Sequence, residues 1–364
     1  MNTDAKLWTI DADAHIDETE GTWNWLEGDE LKYKPTTESP TSQDPSRPPT
    51  RYWVIGGKRR FRGFHDDAAT NTTAETRELL DPMARVRHMD QLGSEVQVLY
   101  PTMFLVAATD NPAIDLALKR SYNRWLADRC HNTGGRLRWV CLPPLGDMDK
   151  ALEELRFAKA NGACAVLKKG DREAGHWVNE EYYFPFYEEC QRLGLPIVFH
   201  LGAGEVDTTS AREFNWGRFA KLNIPPLHAF FNLTLFGIPA KFPGIRWGFI
   251  ETGSSWVPFL VHDIRRRLNR MGGVYSSGYT YEKPSDIVTK NKFYITCLVD
   301  EDLRYILDYT TENHLLVGSD YSHDDPAGQM NFPRLLQERV AMGDVPQTAV
   351  RKIVYDNGKA FYGV

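Results

Sequence analysis

Short apolar runs alternate along the chain with longer segments in which hydrophobic residues recur at helical spacing. Eight of these runs are strand candidates, namely residues 8–16, 94–101, 136–145, 163–170, 195–202, 245–253, 292–299 and 314–323. Helical segments such as KALEELRFAKANG, which ends in the Asn-Gly pair expected after a helix, separate nearly all of them. Strands that alternate with helices predict a parallel sheet, and eight such units predict a (β/α)8 TIM barrel in one domain over residues 1–364.

Residues 20–80 interrupt this alternation with a stretch rich in Pro, Ser and Thr, followed by the basic segment GGKRRFRGFHDD. A connection this long inside a compact domain is a lid, a binding loop or a disordered segment. It follows the first strand, so it leaves from the C-terminal face of the barrel, where active sites of this fold lie. We expect an inserted lid whose Arg59, Arg60 and Arg62 contact a substrate carboxylate, although a solvated basic patch fits the pattern equally well.

Composition narrows the classes of function. A formal net charge of −6 over 364 residues argues against nucleic acid or an anionic membrane as partner. No apolar run is long enough to span a bilayer, and the first residues do not resemble a signal peptide, so we expect a cytoplasmic protein. Five scattered cysteines without a C-x-x-C pair predict reduced, mostly buried thiols. We expect a small-molecule substrate and an oligomer of like or unlike chains.

Metal-binding side chains lie at the C-terminal ends of the predicted strands. The first strand, IDADAHIDE, sends alternate residues to one face, so its two carboxylates and its imidazole point the same way. The set comprises Asp11, Asp13 and His15 at the first strand, Lys168 and Lys169 at the fourth, His200 at the fifth, Glu251 at the sixth, and Asp320 with His323 at the eighth. Read alone, His200 is equally typical of a core histidine and Asp320 of a helix cap. Together these residues would converge at one barrel mouth, where imidazole and carboxylate groups suit zinc, manganese or iron.

The segments IDADAHIDE, LPIVFHLG, FPGIRWGFIETGSSWVPFLVHDIRRRL, LLVGSDYSHDD and VRKIVYDNGKAFYGV occur in this order. They resemble the amidohydrolase-2 branch of the amidohydrolase superfamily, which includes aminocarboxymuconate-semialdehyde and resorcylate decarboxylases. The resemblance runs from residue 8 to the C-terminus and leaves residues 20–80 unmatched. It implies a metal-dependent lyase or hydrolase with one divalent ion, zinc or manganese, held by Asp13, His15, His200 and Asp320. Asp11 would lie one layer deeper and orient these ligands.

Three departures from the family pattern affect the reaction. The first motif reads Asp-x-His where many members have His-x-His, Glu251 stands where the decarboxylases carry a histidine, and Ser322 replaces a proline. Decarboxylation and hydrolysis of a C–C or C–N bond therefore both remain open. We expect Asp320, Glu251 and His323 to be catalytic, with Asp320 as proton acceptor and His323 as proton shuttle. Lys168 and Tyr100 are further candidates for contact with a small, carboxylate-bearing substrate.

Two other functions stay open from the sequence. Glu251 and His323 add a carboxylate and an imidazole to the site, so a dinuclear iron or manganese centre that hydroxylates a small molecule is one alternative. A catalytically inactive barrel that serves as a partner subunit is the other. Metal content distinguishes them, since one zinc or manganese per chain favours a lyase or hydrolase and about two irons favour an oxygenase.

Overall fold

A computed structural model describes residues 7–39, 51–63, 70–204, 218–323 and 328–364 of the chain. Eight parallel strands form one sheet, each paired with its neighbour in the order of the sequence. They are β1 (Thr9–Ile16), β5 (Ser94–Pro101), β6 (Leu137–Cys141), β7 (Ala163–Leu167), β8 (Ile197–His200), β9 (Trp247–Ile250), β10 (Phe293–Thr296) and β11 (Leu315–Leu316). The predicted barrel is thereby confirmed, and each strand candidate contains one of these strands.

Backbone hydrogen bonds between the first strand and the segment after the last one close the barrel. The amide of Ala12 donates to the carbonyl of Val317 at 3.2 Å, and the amide of His15 to that of Tyr321 at 3.0 Å. Gly318 makes this approach feasible, because a Cβ atom there would lie 2.3 Å from Cβ of Asp13. Closure therefore brings the candidate ligands of the two strands into contact.

Helices follow the strands and cover the outside of the sheet. Their starts follow ordinary capping rules: Asp81 caps the helix that begins with Pro82, and Gly93 ends it in a left-handed conformation. The α-helices span Ala74–Arg77, Pro82–Leu92, Pro112–Cys130, Met148–Ala160, Phe184–Leu193, Ile224–Leu235, Ile238–Lys241, Val257–Arg270, Asp286–Lys290, Leu303–Thr310, Phe332–Ala341, Gln347–Arg351 and Asn357–Tyr362. Within the described ranges, no helix is both long and apolar enough to cross a bilayer. All five cysteines are buried and free of disulfides.

The described part of residues 20–80 contains a small antiparallel sheet of its own. Its strands are β2 (Thr36–Glu38), β3 (Arg51–Ile55) and β4 (Lys58–Gly63). Trp53 of this sheet is buried against Trp23, and Trp23 packs on Phe104, which follows β5 at the barrel mouth. Residues 40–50 and 64–69, including His65, lie outside the described ranges. That this insertion acts as a lid stays a prediction.

Candidate metal centre

Four candidate ligands converge where β1, β8 and β11 end. The Nε2 atom of His15 lies 3.3 Å from Oδ1 of Asp13 and 3.4 Å from Oδ1 of Asp320. The Nε2 atom of His200 lies 3.1 Å from the same oxygen of Asp13. None of the four side chains is more than 4% exposed, so water compensates these charges little. We refer to Asp13, His15, His200 and Asp320 as the metal centre.

The hydrogen bonds of the two histidines fix which nitrogen carries the proton. The Nδ1 atom of His15 lies 3.0 Å from the carbonyl oxygen of Pro101, and Nδ1 of His200 lies 3.0 Å from that of Leu201. A carbonyl can only accept, so each Nδ1 donates. The neutral His15 ring then turns its Nε2 lone pair toward carboxylate oxygens, whereas Nε2 of His200 lies within hydrogen-bond distance of Asp13, at 3.1 Å. The Nε2 atom of His15 accordingly has no hydrogen-bond partner among the described residues. The Nε2 lone pair of His15 and the anionic oxygens that it faces repel one another, and a divalent cation between them would remove the repulsion.

The ionisation states agree with this arrangement. Burial lowers the pKa of His15 to about 3, an effect to which the nearby His323 adds, so His15 is neutral at physiological pH. Burial alone would raise the pKa of Asp13, but the facing imidazoles of His200 and His15 bring it below the usual range. An anionic Asp13 and a neutral His15 are the forms in which these side chains bind metals.

Glu251 and His323 border the metal centre on two sides. The Oε2 atom of Glu251 lies 3.3 Å from Nδ1 of His200, and Nδ1 of His323 lies 2.9 Å from Oδ1 of Asp320. The His323 ring also stacks on His15 with 3.9 Å between ring centres. Two overlapping groups are therefore close enough to hold a metal ion. One group is Asp13, His15, His200 and Glu251, and the other is His15, Asp320 and His323.

The backbone at the two carboxylates is strained. Glu251 has φ of +60° and Asp320 has φ of +51°, in the left-handed region that residues other than glycine and asparagine rarely adopt. Such a conformation costs on the order of 1–3 kcal/mol and persists where the surroundings enforce it. At Asp320 the enforcing contact is a hydrogen bond from its amide to the carbonyl of Asp13, at 2.9 Å. The strain aims both carboxylates into the barrel mouth.

Asp11 lies beneath the metal centre and ties the last strand to the first. Its two oxygens accept the amide of Ser319 at 2.8 Å and the Ser319 hydroxyl at 2.6 Å. Gln97 donates to it at 3.0 Å, and Arg85 donates to Gln97 at 2.6 Å. Burial raises the pKa of Asp11 to about 6, although the Ser319 hydrogen bonds oppose this. The contacts fit the predicted orienting role, because Ser319 directly precedes Asp320.

Sequence reasoning missed Thr102, Gln97 and Arg85. The Thr102 hydroxyl lies 3.1 Å from Nε2 of His323 and donates to the carbonyl of Ile16. It directly follows the apolar run VLYP of β5, which is the same strand-end signal that marked the other candidates. Gln97 is a polar residue inside that buried strand, which is a second usable signal. Arg85 is fully buried on a helix, and nothing in its local sequence indicates that position.

The three arginines of the insertion make separate contacts. Arg59 is exposed and pairs with Glu38 at 2.6 Å, whereas Arg60 donates to the carbonyl of Ala108 at 2.8 Å. Arg62 is mostly buried, pairs with Glu20 at 2.9 Å and lies over the ring of Trp53. Arg62 also lines a small cavity together with Thr102, the residue that contacts His323. Of the three, Arg62 is thus the one with a contact path toward the metal centre.

The other predicted substrate contacts lie deeper than expected. Lys168 is fully buried, lies 3.6 Å from Glu173 and stands over the ring of Tyr183. Tyr100 is also fully buried, with its ring centre 4.9 Å from that of His200. The Tyr100 hydroxyl bonds the hydroxyl of Tyr362 at 2.7 Å, so that group is already engaged. Contact of Lys168 or Tyr100 with substrate stays a prediction.

Residues 10–364 match the model of the amidohydrolase family. The chain belongs to this family. A curated relative is a 2-amino-3-carboxymuconate-6-semialdehyde decarboxylase from Dictyostelium discoideum, which is 21% identical over 288 residues, or 78% of this chain and 77% of the relative. The resemblance read from the sequence motifs is therefore confirmed at the level of the family.

Solved structures of this family share the fold of the chain. An amidohydrolase from Mycobacterium avium subsp. paratuberculosis K-10 superposes with a TM-score of 0.76 at 19% identity, covering 98% of both chains. A dihydroxybenzoic acid decarboxylase from Polaromonas sp. JS666, with bound manganese and the inhibitor 2-nitroresorcinol, gives 0.60 at 17% identity over 98% of this chain and 96% of that one. At these identities the likeness concerns the barrel itself.

Proposed function

We propose that this protein is a metal-dependent decarboxylase that acts on a small aromatic carboxylic acid. The observation that carries the proposal is the buried convergence of two imidazoles and two carboxylates, in which Nε2 of His15 faces Asp13 and Asp320 and Nε2 of His200 faces Asp13. Two imidazoles and two carboxylates suit zinc or manganese. The decarboxylase relatives supply the reaction class, and the manganese in one of them supports manganese as the ion to try first.

In this proposal the metal centre holds the ion. Asp11 keeps the geometry of the metal centre through its hydrogen bonds with Ser319, the residue before Asp320. A divalent ion bound there would act as a Lewis acid on substrate oxygens. The chain itself has to orient the substrate and supply a proton to the ring carbon that loses carbon dioxide. His15 and His200 already donate their Nδ1 protons to carbonyls, so they are poor sources of that proton.

Asp320 and His323 are the proposed proton carriers. Their 2.9 Å contact allows a proton to pass between Oδ1 of Asp320 and Nδ1 of His323. The Thr102 hydroxyl lies at the other ring nitrogen of His323 and keeps that ring in place. His323 is also less buried than Asp320, so it can exchange protons with solvent.

Glu251 is proposed to tune the metal centre through His200. A carboxylate 3.3 Å from the Nδ1 atom of a metal-binding histidine raises the basicity of that histidine and fixes its orientation. This role differs from that of the histidine that the family resemblance implies at this position in decarboxylases. Hydrolysis stays open for the same reason, with Asp320 as the base that would take a proton from water.

The test is a substrate screen with defined metal content. Protein stripped with a chelator and reloaded with manganese or zinc is assayed for carbon dioxide release from mono- and dihydroxybenzoates, beside the metal-free protein. We expect turnover only after reloading, at about one ion per chain. Hydrolysis of amides or esters without carbon dioxide release would show that the protein is a hydrolase and not a decarboxylase. Oxygen consumption with about two irons per chain would show that the protein is an oxygenase.

A further inference from the structure

A second cavity, of about 620 Å³, lies at the barrel mouth between the loops that follow β5, β6 and β7. Apolar side chains form much of its wall, namely Phe104, Val106, Leu142, Pro143, Leu145 and Leu167. None of the residues of the metal centre is among its lining residues. Its volume falls in the range of about 300–1,000 Å³ that is typical of small-molecule sites.

Backbone pairing bounds this cavity on the side of His200. The amide of Ala203 donates to the carbonyl of Leu105, and the amide of Ala107 donates to the carbonyl of Ala203, both at 3.0 Å. Gly202 fits against this crossing only because it lacks a side chain, since a Cβ atom would lie 2.0 Å from the carbonyl oxygen of Leu105. Because no residue of the metal centre lines the cavity, we treat the two as separate sites.

Buried charged residues stand at the inner end of the cavity. We call Lys119, Lys168, Lys169, Asp115 and Glu173 the lysine cluster. Lys119 pairs with Asp115 at 2.9 Å and with Glu173 at 3.5 Å, and Lys168 lies 3.6 Å from Glu173. Lys169 has no carboxylate within 4.0 Å among the described residues. Asp171 also acts electrostatically on Lys168 and Lys169, and Asp110 lines the cavity beside Asp115 and Glu173, so the charges around the cavity are close to balance.

Lys169 lines the cavity and has a donor to spare. Its ammonium group donates to the carbonyls of Phe104 and Leu105, which accounts for two of its three N–H groups. The third has no acceptor among the described residues. A buried cation with an unused donor at the end of an apolar cavity is a receptor for one carboxylate.

We propose that this cavity binds a small aryl carboxylate, with its carboxylate on Lys169 and its ring against the apolar wall. The carboxylate fits the unused N–H group of Lys169, and a flat hydrophobic body fits the leucine and proline side chains. The proposal is independent of the reaction at the metal centre, because its residues are different.

The test measures binding of 2-naphthoate by calorimetry to protein kept free of metal by a chelator. Removing the metal takes the metal centre out of the comparison, so failure of the proposed decarboxylation would not affect the result. We expect saturable binding of about one equivalent, and markedly weaker binding of the neutral 2-naphthamide. Equal binding of the amide, or no saturable binding, would overturn the proposal.

Two variants locate the bound molecule. Lys169→Met should weaken 2-naphthoate binding about tenfold or more, the usual effect of losing a hydrogen bond to a charged group. Since Lys169 also holds Phe104 and Leu105, a second variant leaves it in place: Ala107→Phe fills the cavity from its partly exposed edge and should also weaken binding. Lys159→Met, on an exposed helix end, is the matched control and should bind normally. Unchanged binding in both cavity variants would exclude this site.

Discussion

On one side of the barrel mouth, Asp13 and Asp320 face the Nε2 atom of His15 at 3.3 and 3.4 Å. On another side, Glu173 lies within 3.6 Å of both Lys119 and Lys168. Both groups are buried at strand ends, and both carry several titratable side chains. In the lysine cluster opposite charges are paired, whereas in the metal centre two carboxylates face the lone pair of the neutral His15 ring.

This difference teaches how to tell a binding site from a structural ion-pair network. A buried network that stabilises the fold neutralises its own charges, because an unpaired buried charge costs several kcal/mol. Asp13 of the metal centre, in contrast, has no lysine or arginine contact within 4.0 Å in the part of the chain that the structure describes. The metal centre therefore fits a bound cation, whereas the lysine cluster pairs its carboxylates with its own lysines.

The largest effect should come from Asp320→Asn. The change keeps size and hydrogen bonding but removes the charge and the proton-accepting group, so turnover should fall by a factor of about 10²–10⁴. Steady-state kinetics on the substrate found in the screen, with metal content measured for each sample, tests this. Asp308→Asn, at an exposed position on the helix Leu303–Thr310, should behave like the parent protein. Near-normal turnover of Asp320→Asn would make this site assignment wrong.

On the opposite side of the comparison, Glu173→Gln should destabilise the fold by about 3–5 kcal/mol, the usual cost of breaking a buried ion pair. Lys119 would then retain only Asp115, and Lys168 would lose its carboxylate partner. Denaturant unfolding measures the change. The control is Glu153→Gln, which pairs with Lys150 at 2.8 Å where both side chains are about half exposed, so it should cost no more than about 1 kcal/mol. Equal effects of the two substitutions would remove the distinction between the lysine cluster and a surface network.

Raising the pH should remove the buried charge of Lys168 in the lysine cluster and thereby stabilise the fold. Burial lowers the pKa of Lys168 from 10.5 to about 8, although Glu173 opposes the shift. Between these values the unfolded chain binds more protons than the native one, so the free energy of unfolding gains a contribution that rises with pH. Lys168→Met lacks this contribution. The unfolding free energy of the parent minus that of the variant should therefore increase from pH 8 toward pH 10.5, and a flat difference would mean that Lys168 titrates normally.

The fold could be predicted from the sequence because the parallel strands are buried on both faces and appear as isolated apolar runs. The strand ends could be predicted as well, which is why His200 and Asp320, 120 residues apart in the numbering, were placed together. The local sequence pattern does not show which side chains contact each other across the barrel. The contact of Thr102 with His323 and that of Arg85 with Gln97 depend on neighbouring elements that only the closed barrel brings together.

The contacts of Lys168 and Lys169 could not be predicted from the local sequence either. Lys168 and Lys169 end their strand like the other candidates, and the sequence gives no sign that Glu173 folds back onto them. In the insertion, a run of basic residues looks like one patch, but an antiparallel sheet sends neighbouring side chains to opposite faces. Arg59 and Arg62 consequently differ in burial and in partner.

A smaller effect is expected from Glu251→Gln. If Glu251 acts through His200, turnover should fall about tenfold while the chain still binds one metal ion, as is usual for groups that orient a metal ligand. If Glu251 instead binds a second ion with His323, the same change should lower the number of ions per chain. Kinetics and metal analysis on one preparation separate the two roles. Should neither quantity change, Glu251 is only a structural carboxylate.

The smallest effect concerns the insertion. Arg62 is mostly buried, lies over Trp53 and lines a small cavity with Thr102, whereas Arg59 is exposed and pairs with Glu38. If the insertion is a lid that contacts the substrate carboxylate, Arg62→Gln should raise KM for an anionic substrate several-fold and leave kcat nearly unchanged, because the lost contact holds the ground state and the transition state equally. Arg59→Gln removes the same charge from the same sheet, so it controls for the general potential of the basic segment. A rise in KM for Arg62→Gln alone would place the substrate carboxylate near this arginine. Equal small rises of KM in both variants would show that the arginines act only through a diffuse positive field. No rise of KM in either variant would show that they form a solvated patch.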